Sequence, residues 1–141
     1  MSNPSKDEAR ALIEGAFASL LDPQQDAEAL SRYFAPNYVQ IVDGKQLDYD
    51  GFIDHARTLK KSLRRGRATI ETIIVDGSII ADIHVIDAEK ANGDTVRTKV
   101  IAFFTVAGGK IVHVDELTHM LRGAAEDQDM GSRTSGHGGA G

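Results

Sequence analysis

The sequence predicts an α+β domain in which helices pack on one face of an antiparallel sheet. Helical spacing of apolar residues dominates the first 63 residues, whereas residues 67–120 alternate between apolar and polar side chains as strands do. Three glycine-containing turns also separate the strand-like segments at hairpin intervals. Helices followed by a long antiparallel meander are typical of the α+β class.

The first part of the chain predicts three helices and one strand. Residues 5–22 carry one apolar stripe at helical spacing, and the sequence DPQQ ends this helix. A short second helix is expected through DAEALSRYF, before Pro36. The segment NYVQIV predicts a strand that ends at Asp43-Gly44, and DYDGFIDHARTLKKSL predicts a third helix.

The second part predicts four strands joined by tight turns. The strands are expected at about 67–75, 78–88, 95–107 and 110–120. Two-residue hairpin turns are expected at Asp76-Gly77, Asn92-Gly93 and Gly108-Gly109. A β-bulge in any strand would shift the register beyond it by one residue and invert the faces.

Directly paired residues point to the same face of a sheet, so the turns assign residues to faces. The expected pairs are His84 with Ile101 and Asp82 with Phe103 across the second turn, then Ile101 with Glu116 and Phe103 with Val114 across the third. One face then carries Ile80, Asp82, His84, Ile86, Ile101, Phe103, Val112, Val114, Glu116 and Thr118. The opposite face is also apolar and carries Ala81, Ile83, Val85, Val100, Ala102, Phe104, Ile111, His113, Asp115 and Leu117.

The composition of the chain narrows the range of possible functions. The 141-residue chain has a net charge of −5, which disfavours nucleic-acid binding, and no cysteine, which excludes disulfides and thiolate metal sites. No apolar run approaches the roughly 20 residues of a membrane span, and no export leader is evident, so a cytoplasmic location is expected. The basic cluster KKSLRRGR (60–67) is interpreted as a solvated helix end rather than an anion site.

Ionisable residues on the first face suggest chemistry. An unperturbed histidine side chain titrates near neutrality, so His84 is a candidate general base in an apolar pocket. Burial should raise the pKa of Glu116 unless His84 or Lys99 pairs with it. The alternative is that His84 bonds a backbone carbonyl or a tyrosine hydroxyl and only completes the wall. A metal site from His113, Asp115 and His119 fits strand alternation, but such spacing arises easily by chance, and no metal is expected.

The segments YFAPNYVQIVDG (33–44) and FFTVAGGKIVHVDELTHML (103–121), with the amphipathic first helix, resemble the nuclear transport factor 2-like superfamily, and more specifically its SnoaL-like, polyketide cyclase-like branch. The resemblance covers about residues 8–121. It implies a cone-shaped pocket between a strongly bent sheet and the helices, and a homodimer formed through the outer sheet face. It places polar pocket residues at Asp82, His84, Glu116 and Thr118.

The resemblance leaves the activity open, because the Tyr–Asp–Asp set of steroid isomerases and the Arg-x-Asp pair of epoxide hydrolases are not evident here. We expect a SnoaL-like domain over 1–122 and a flexible polar tail over 123–141. The pocket is expected to bind a small hydrophobic molecule, without cofactor, nucleic acid or membrane. The catalytic candidates are His84, Glu116 and Asp82, and the expected ligand-binding residues are Tyr33, Phe34, Tyr38, Gln40, Ile101, Phe103, Val114 and Thr118.

Two main functions fit these expectations. The first is a cofactor-free isomerase, cyclase or hydrolase that uses acid–base chemistry on a small, largely apolar substrate. The alternative is a non-catalytic module that binds a ligand or a protein partner, including a second copy. A third interpretation fills the pocket with side chains.

Overall fold

A curved six-stranded sheet carries the helices on its concave face in the computed structural model, which describes residues 3–130, 132 and 134. The α-helices are α1 (Lys6–Leu20) and α2 (Tyr49–Ser62), with short 3-10 helices at Ala27–Arg32 and Ala125–Asp127. The strands are β1 (Phe34–Val42), β2 (Lys45–Asp48), β3 (Leu63–Asp76), β4 (Ile79–Lys90), β5 (Thr95–Ala107) and β6 (Lys110–Arg122). The expected α+β class is confirmed.

Local capping explains where the helices begin and end. Ser5 and Glu8 form a reciprocal capping box at the start of α1, and the Asp48 side chain accepts a hydrogen bond from Gly51 at the start of α2. The buried Lys60 ammonium donates to the carbonyl oxygens of Ser19 and Asp22, where α1 ends. Lys60 is therefore a structural cap, not part of a solvated helix end.

The strands follow the order β2-β1-β6-β5-β4-β3 across the sheet. All neighbouring pairs are antiparallel except β1 and β6, which run parallel. This arrangement places the last strand beside the first, in the centre of the sheet. Both strands can therefore contribute side chains to the same part of the concave face.

The Asn92-Gly93 turn differs from the expectation by one residue. The loop contains three residues, Ala91 to Gly93, and Lys90 N–H donates to the carbonyl oxygen of Asp94 at 2.7 Å. Gly93 has φ +94°, a conformation suited to the last position of a three-residue hairpin loop. As a result, His84 pairs with Val100 and Asp82 pairs with Ala102.

The Gly108-Gly109 turn has the expected two residues, but a bulge follows it. Ala107 pairs with Lys110 as expected, and the register then shifts by one residue between Thr105 and Val106. Beyond the bulge, Glu116 pairs with Ala102. The two shifts cancel between β4 and β6, so Glu116 does share a face with His84.

These shifts invert β5, and they also turn Ile111 at the start of β6, which was expected on the outer face, into the core. The inversion of β5 contradicts the expected position of two pocket residues. Ile101 and Phe103 lie on the convex outer face, where they are 53% and 58% exposed. The inner face of β5 instead carries Val96, Val100, Ala102, Phe104 and Val106.

The first hairpin also differs. Asp76 pairs with Ile79, so the two turn residues are Gly77 and Ser78. This turn places Ile73 opposite Asp82. The register shifts again between Ile70 and Thr72, which makes Glu71 a bulge residue, so no carboxylate of β3 pairs directly with Asp82.

The core fills the space between the concave face and the helices, and the chain after β6 also reaches it. Asp127 is 3% exposed, and Met130 packs against the core. Residues 125–130 thus contact the domain, and the flexible tail expected over 123–141 stays a prediction; residues 131, 133 and 135–141 lie outside the described part. The proposed domain boundary at 122 stays a prediction.

Candidate ligand pocket

A pocket lies between the concave face and the helices, at the position expected from the sequence. The cavity volume open to water-sized molecules is about 80 Å³. Its walls are mostly apolar, with a small polar set, as in many small-molecule sites. The lining residues are Phe17, Leu20, Leu21, Phe34, Tyr38, Gln40, Phe52, His55, Leu59, Leu63, Ile86, Ala88, Thr98, Val100, Phe104, Val114, Glu116, Thr118, Asp127, Gln128 and Met130.

Glu116 is a carboxyl group of this wall whose environment favours its neutral form. Burial raises its pKa from 4.5 to about 8, and the negative charges of Asp82, Asp43 and Asp115 act in the same direction. Asp82 and Glu116 are aligned through Ala102, which pairs with both. At neutral pH the Glu116 carboxyl group is therefore mainly protonated and can donate a hydrogen bond into the pocket.

Tyr38 and Gln40 form the second polar group of the pocket. The Tyr38 hydroxyl donates to Gln40 Oε1 at 3.0 Å, and both residues are buried. Burial, and then the charge of Glu116, raises the pKa of Tyr38 well above its ordinary value. Gln40 Nε2 is buried and has no hydrogen-bond partner in the described part of the chain, which leaves its N–H groups for a ligand.

Thr118 lines the same wall, but its polar groups are engaged. Its backbone N–H donates to Asp43 Oδ1 at 2.8 Å, and its hydroxyl donates to Asp43 Oδ2. Asp43 has φ +52°, a left-handed conformation that asparagine and aspartate tolerate in turns. Thr118 therefore anchors the turn after β1, and offers a ligand chiefly its methyl group.

His84 forms a buried pair with Asp82 behind the pocket wall. His84 Nδ1 lies 2.9 and 3.0 Å from the two carboxyl oxygens of Asp82, and the two residues are 0% and 2% exposed. The partner of His84 is thus a carboxylate, not the backbone carbonyl or tyrosine considered from the sequence. With Nδ1–H donated to Asp82, Nε2 is the basic nitrogen, and it has no partner among the described residues.

Phe17 separates His84 from the pocket. The two ring centroids are 4.4 Å apart, and Phe17 lines the pocket whereas His84 and Asp82 do not. The structure thus brings His84 and Asp82 together. It leaves Glu116 two strands away, at a backbone separation of about 10 Å.

The expected ligand-binding residues divide into three groups. Phe34, Tyr38, Gln40, Val114 and Thr118 line the pocket. Tyr33 instead packs against α1, where a Cβ on Gly15 would approach its ring to 2.7 Å. Ile101 and Phe103 are the two residues on the outer face.

Sequence reasoning missed part of the helical wall and the C-terminal wall. His55, which was not among the expected site residues, is 3% exposed and lines the pocket beside Phe52. The i,i+3 spacing of Phe52 and His55 on α2 was the available signal. Asp127, Gln128 and Met130 follow the last strand in a polar segment that has no periodic signal.

Within the described residues, no group of three or more histidine, aspartate or glutamate side chains is arranged to hold a metal ion. None of the helices described here is long and apolar enough to cross a membrane.

Comparison with known proteins gives a family and a shared fold. Residues 7–114 match the family model of the SnoaL-like domain. An uncharacterized protein of Schizosaccharomyces pombe is 35% identical over 125 residues, covering 89% of this chain and 96% of its own length.

Two protein structures share the fold at low sequence identity. AusH from Aspergillus nidulans has a TM-score of 0.73 at 11% identity, with 96% and 97% of the two chains covered. An LEH-like epoxide hydrolase from M. tuberculosis has a TM-score of 0.66 at 17% identity, with 82% and 86% covered. Together with the concave pocket, the family match shows that this chain belongs to the SnoaL-like domain family.

Proposed function

We propose that this protein binds a small, largely apolar molecule that carries a carbonyl-type oxygen, and that Glu116 exchanges a proton with it. The observation that carries the proposal is the raised pKa of Glu116 in an apolar wall. A second donor, Gln40 Nε2, lies on the neighbouring strand β1, where Gln40 pairs with Val114. Two donors on one apolar wall suit an oxygen that gains negative charge.

Glu116 has the properties of a general acid in such a site. Its proton would pass to the ligand oxygen as charge develops there, and the Gln40 amide would donate a second hydrogen bond. The resulting Glu116 carboxylate would lie in the same apolar wall, where the negative charge of Asp82 repels it, so reprotonation of Glu116 is favoured. Such reversible proton transfer belongs to isomerase, cyclase and hydrolase reactions that need no cofactor.

His84 is the proposed base for removal of a carbon-bound proton. Its Asp82 partner fixes the ring orientation and stabilises the imidazolium that forms. The ring of Phe17 would have to rotate before Nε2 could reach a bound molecule. That requirement favours the alternative function, a binding module without catalysis, if Phe17 stays in place.

Binding is tested with Prodan, a fluorescent aromatic ketone whose emission shifts to the blue in an apolar environment. Wild-type protein should shift the emission and saturate with Prodan, whereas Gln40→Leu and Glu116→Leu, which each remove a donor, should weaken binding about fivefold or more. Gln46→Leu, on the exposed edge strand, is the matched control. Wild-type protein that leaves the Prodan emission unchanged contradicts the proposed ketone site.

Catalysis is tested by exchange of the α-protons of 2-tetralone for deuterium in D2O, followed by NMR. An enzyme should accelerate exchange, and His84→Gln should abolish the acceleration while Prodan binding persists. Binding of 2-tetralone without accelerated exchange would support the binding-module alternative.

The outer sheet face supports a homodimer as part of the proposal. The outward-facing residues Ile74 on β3, Ile101 and Phe103 on β5, and Leu117 on β6 are between 53% and 66% exposed there. Exposed apolar surface of this kind commonly marks a protein interface. Light scattering should give the mass of two chains for the wild type and of one chain for Phe103→Glu; a monomeric wild type would contradict the dimer.

The net charge of −5 supports the absence of a nucleic-acid partner. A cytoplasmic location completes the proposal, and cell fractionation tests it.

A further inference from the structure

The chain that follows β6 turns back to form part of the pocket wall. Ala125–Asp127 form a 3-10 helix, and residues 128–130 continue as a turn. Asp127, Gln128 and Met130 all belong to the pocket lining. We call residues 125–130 the C-terminal lid.

Two lysines tie this part of the chain to strands that lie far apart in the sheet. Lys90 Nζ, at the end of β4, lies 3.1 Å from Asp127 Oδ2 and 3.6 Å from Glu126 Oε1. Lys45 Nζ, at the start of β2, donates to the carbonyl oxygen of Ser132 at 3.1 Å. Because β5, β6 and β1 lie between β4 and β2, the attachments span most of the sheet.

The Lys90–Asp127 pair is well shielded from solvent. The side chains of Lys90 and Asp127 are 14% and 2% exposed, and the Lys90 ammonium group pairs with the carboxylate of Asp127, a residue that lines the pocket. A shielded, hydrogen-bonded ion pair resists separation more than a surface pair does, because a carboxylate left buried alone is costly. The pair therefore acts as a latch at one side of the pocket mouth.

The junction between strand and lid is a glycine. Gly123 has φ +146°, in the region that residues with a side chain rarely adopt. Its position directly after β6 lets the chain leave the strand and turn back over the pocket. The lid thus has a glycine at its base and a latch at Asp127.

We propose that the C-terminal lid is a movable wall of the ligand site, that the Lys90–Asp127 pair holds it closed, and that Met130 and Gln128 help to select the ligand. The ligand part rests on the proposed function, whereas closure rests on the lid contacts alone. Met130 brings an adaptable thioether chain to the pocket, and Gln128 brings an amide. A ligand with an apolar body and a polar end fits this combination.

Closure is tested by thiol labelling, because the chain contains no cysteine and a single introduced thiol has no background. Met130→Cys should react with DTNB more slowly than Ala11→Cys on the exposed face of α1. Adding Asp127→Asn or Lys90→Met should accelerate the Met130→Cys reaction about tenfold. Circular dichroism verifies that each variant is folded.

Lys99→Met is the matched control for loss of a lysine. Lys99 also pairs with a carboxylate, that of Glu71 at 3.5 Å, but the pair is exposed and neither residue lines the pocket. This substitution should leave labelling of Met130→Cys unchanged. Closure by the latch is overturned if Met130→Cys is labelled as fast as Ala11→Cys. It is also overturned if neither Asp127→Asn nor Lys90→Met changes the labelling rate of Met130→Cys.

The ligand part is tested by stopped-flow release of Prodan. Asp127→Asn should raise the release rate about tenfold, and Met130→Ala should change the preference between Prodan and 2-tetralone. Equal release rates in wild type and Asp127→Asn, with labelling accelerated, would show that the lid lies outside the ligand path and overturn this part. If Prodan does not bind the wild type, the proposed function fails, and labelling alone decides closure.

Discussion

Replacing Glu116 by glutamine removes a carboxyl group that the folded protein holds protonated at neutral pH. Glutamine keeps the size and the donor group but cannot ionise. In the wild type, burial together with the charge of Asp82 raises the folded-state pKa to about 8, against 4.5 for an ordinary glutamate. The variant should therefore differ from the wild type in how its stability depends on pH.

The direction and size of the pH effect on the free energy of unfolding follow from proton linkage. Between pH 4.5 and 8 the unfolded state has lost the Glu116 proton while the folded state retains it, so wild-type stability falls as pH rises. The slope is about 1.4 kcal/mol per pH unit, and a shift of about 3.5 units gives at most about 5 kcal/mol. Because Glu116 is only partly shielded, we expect a loss of about 3 kcal/mol, complete above pH 8.

The assay is urea unfolding followed by far-ultraviolet circular dichroism from pH 4 to pH 9. The free energy of unfolding of Glu116→Gln minus that of the wild type should rise by about 3 kcal/mol across this range. The exposed Glu14→Gln on α1 is the control, and its difference should stay flat within about 0.5 kcal/mol. Parallel curves for wild type and Glu116→Gln would refute the raised pKa and the general-acid role built on it.

Two further predictions concern stability at pH 7, measured by the same urea unfolding. Lys60→Met should lower the free energy of unfolding by about 1–3 kcal/mol, because the carbonyl groups at the end of α1 lose their donor. The same substitution at the exposed neighbour, Lys61→Met, should lower it by less than about 0.5 kcal/mol. Equal effects of the two substitutions would contradict the capping role of Lys60. His84→Leu should lower the free energy of unfolding by about 3–5 kcal/mol, because it leaves Asp82 unpaired in the core. The double variant that also carries Asp82→Leu should recover most of this stability. A double variant no more stable than His84→Leu would contradict the pairing.

The sequence predicted the face of β4 and that of β6 beyond its bulge, but not the face of β5, and the reason is specific. Both alternating sets on β5 are apolar, Val100 and Phe104 on one face and Ile101 and Phe103 on the other. Hydrophobic alternation could not choose between them, so the choice depended on turn length. A third loop residue before β5 and a bulge after it each moved the register by one.

The candidate site was predicted in part for a similar reason. Strand alternation and the family resemblance placed Glu116 on the inner face, Tyr38 and Gln40 were separately expected as ligand-binding residues, and all three line the pocket. The close pairing of His84 with Asp82 was not predicted, because residues two apart on a strand share a face without having to touch. Side-chain rotation, with Phe17 packed against the histidine ring, determines that contact.

Local chemistry in the sequence by itself determined the α+β class, the succession of hairpins and the presence of an ionisable group on the concave face. These depend on periodicity and on turn residues, which act over a few neighbouring positions. Only the tertiary structure decided the register of β5, the position of His84 behind Phe17 and the closure of the pocket by residues 125–130. Each of these depends on contacts between distant parts of the chain, such as that of Lys90 with Asp127. The local sequence pattern does not predict such contacts.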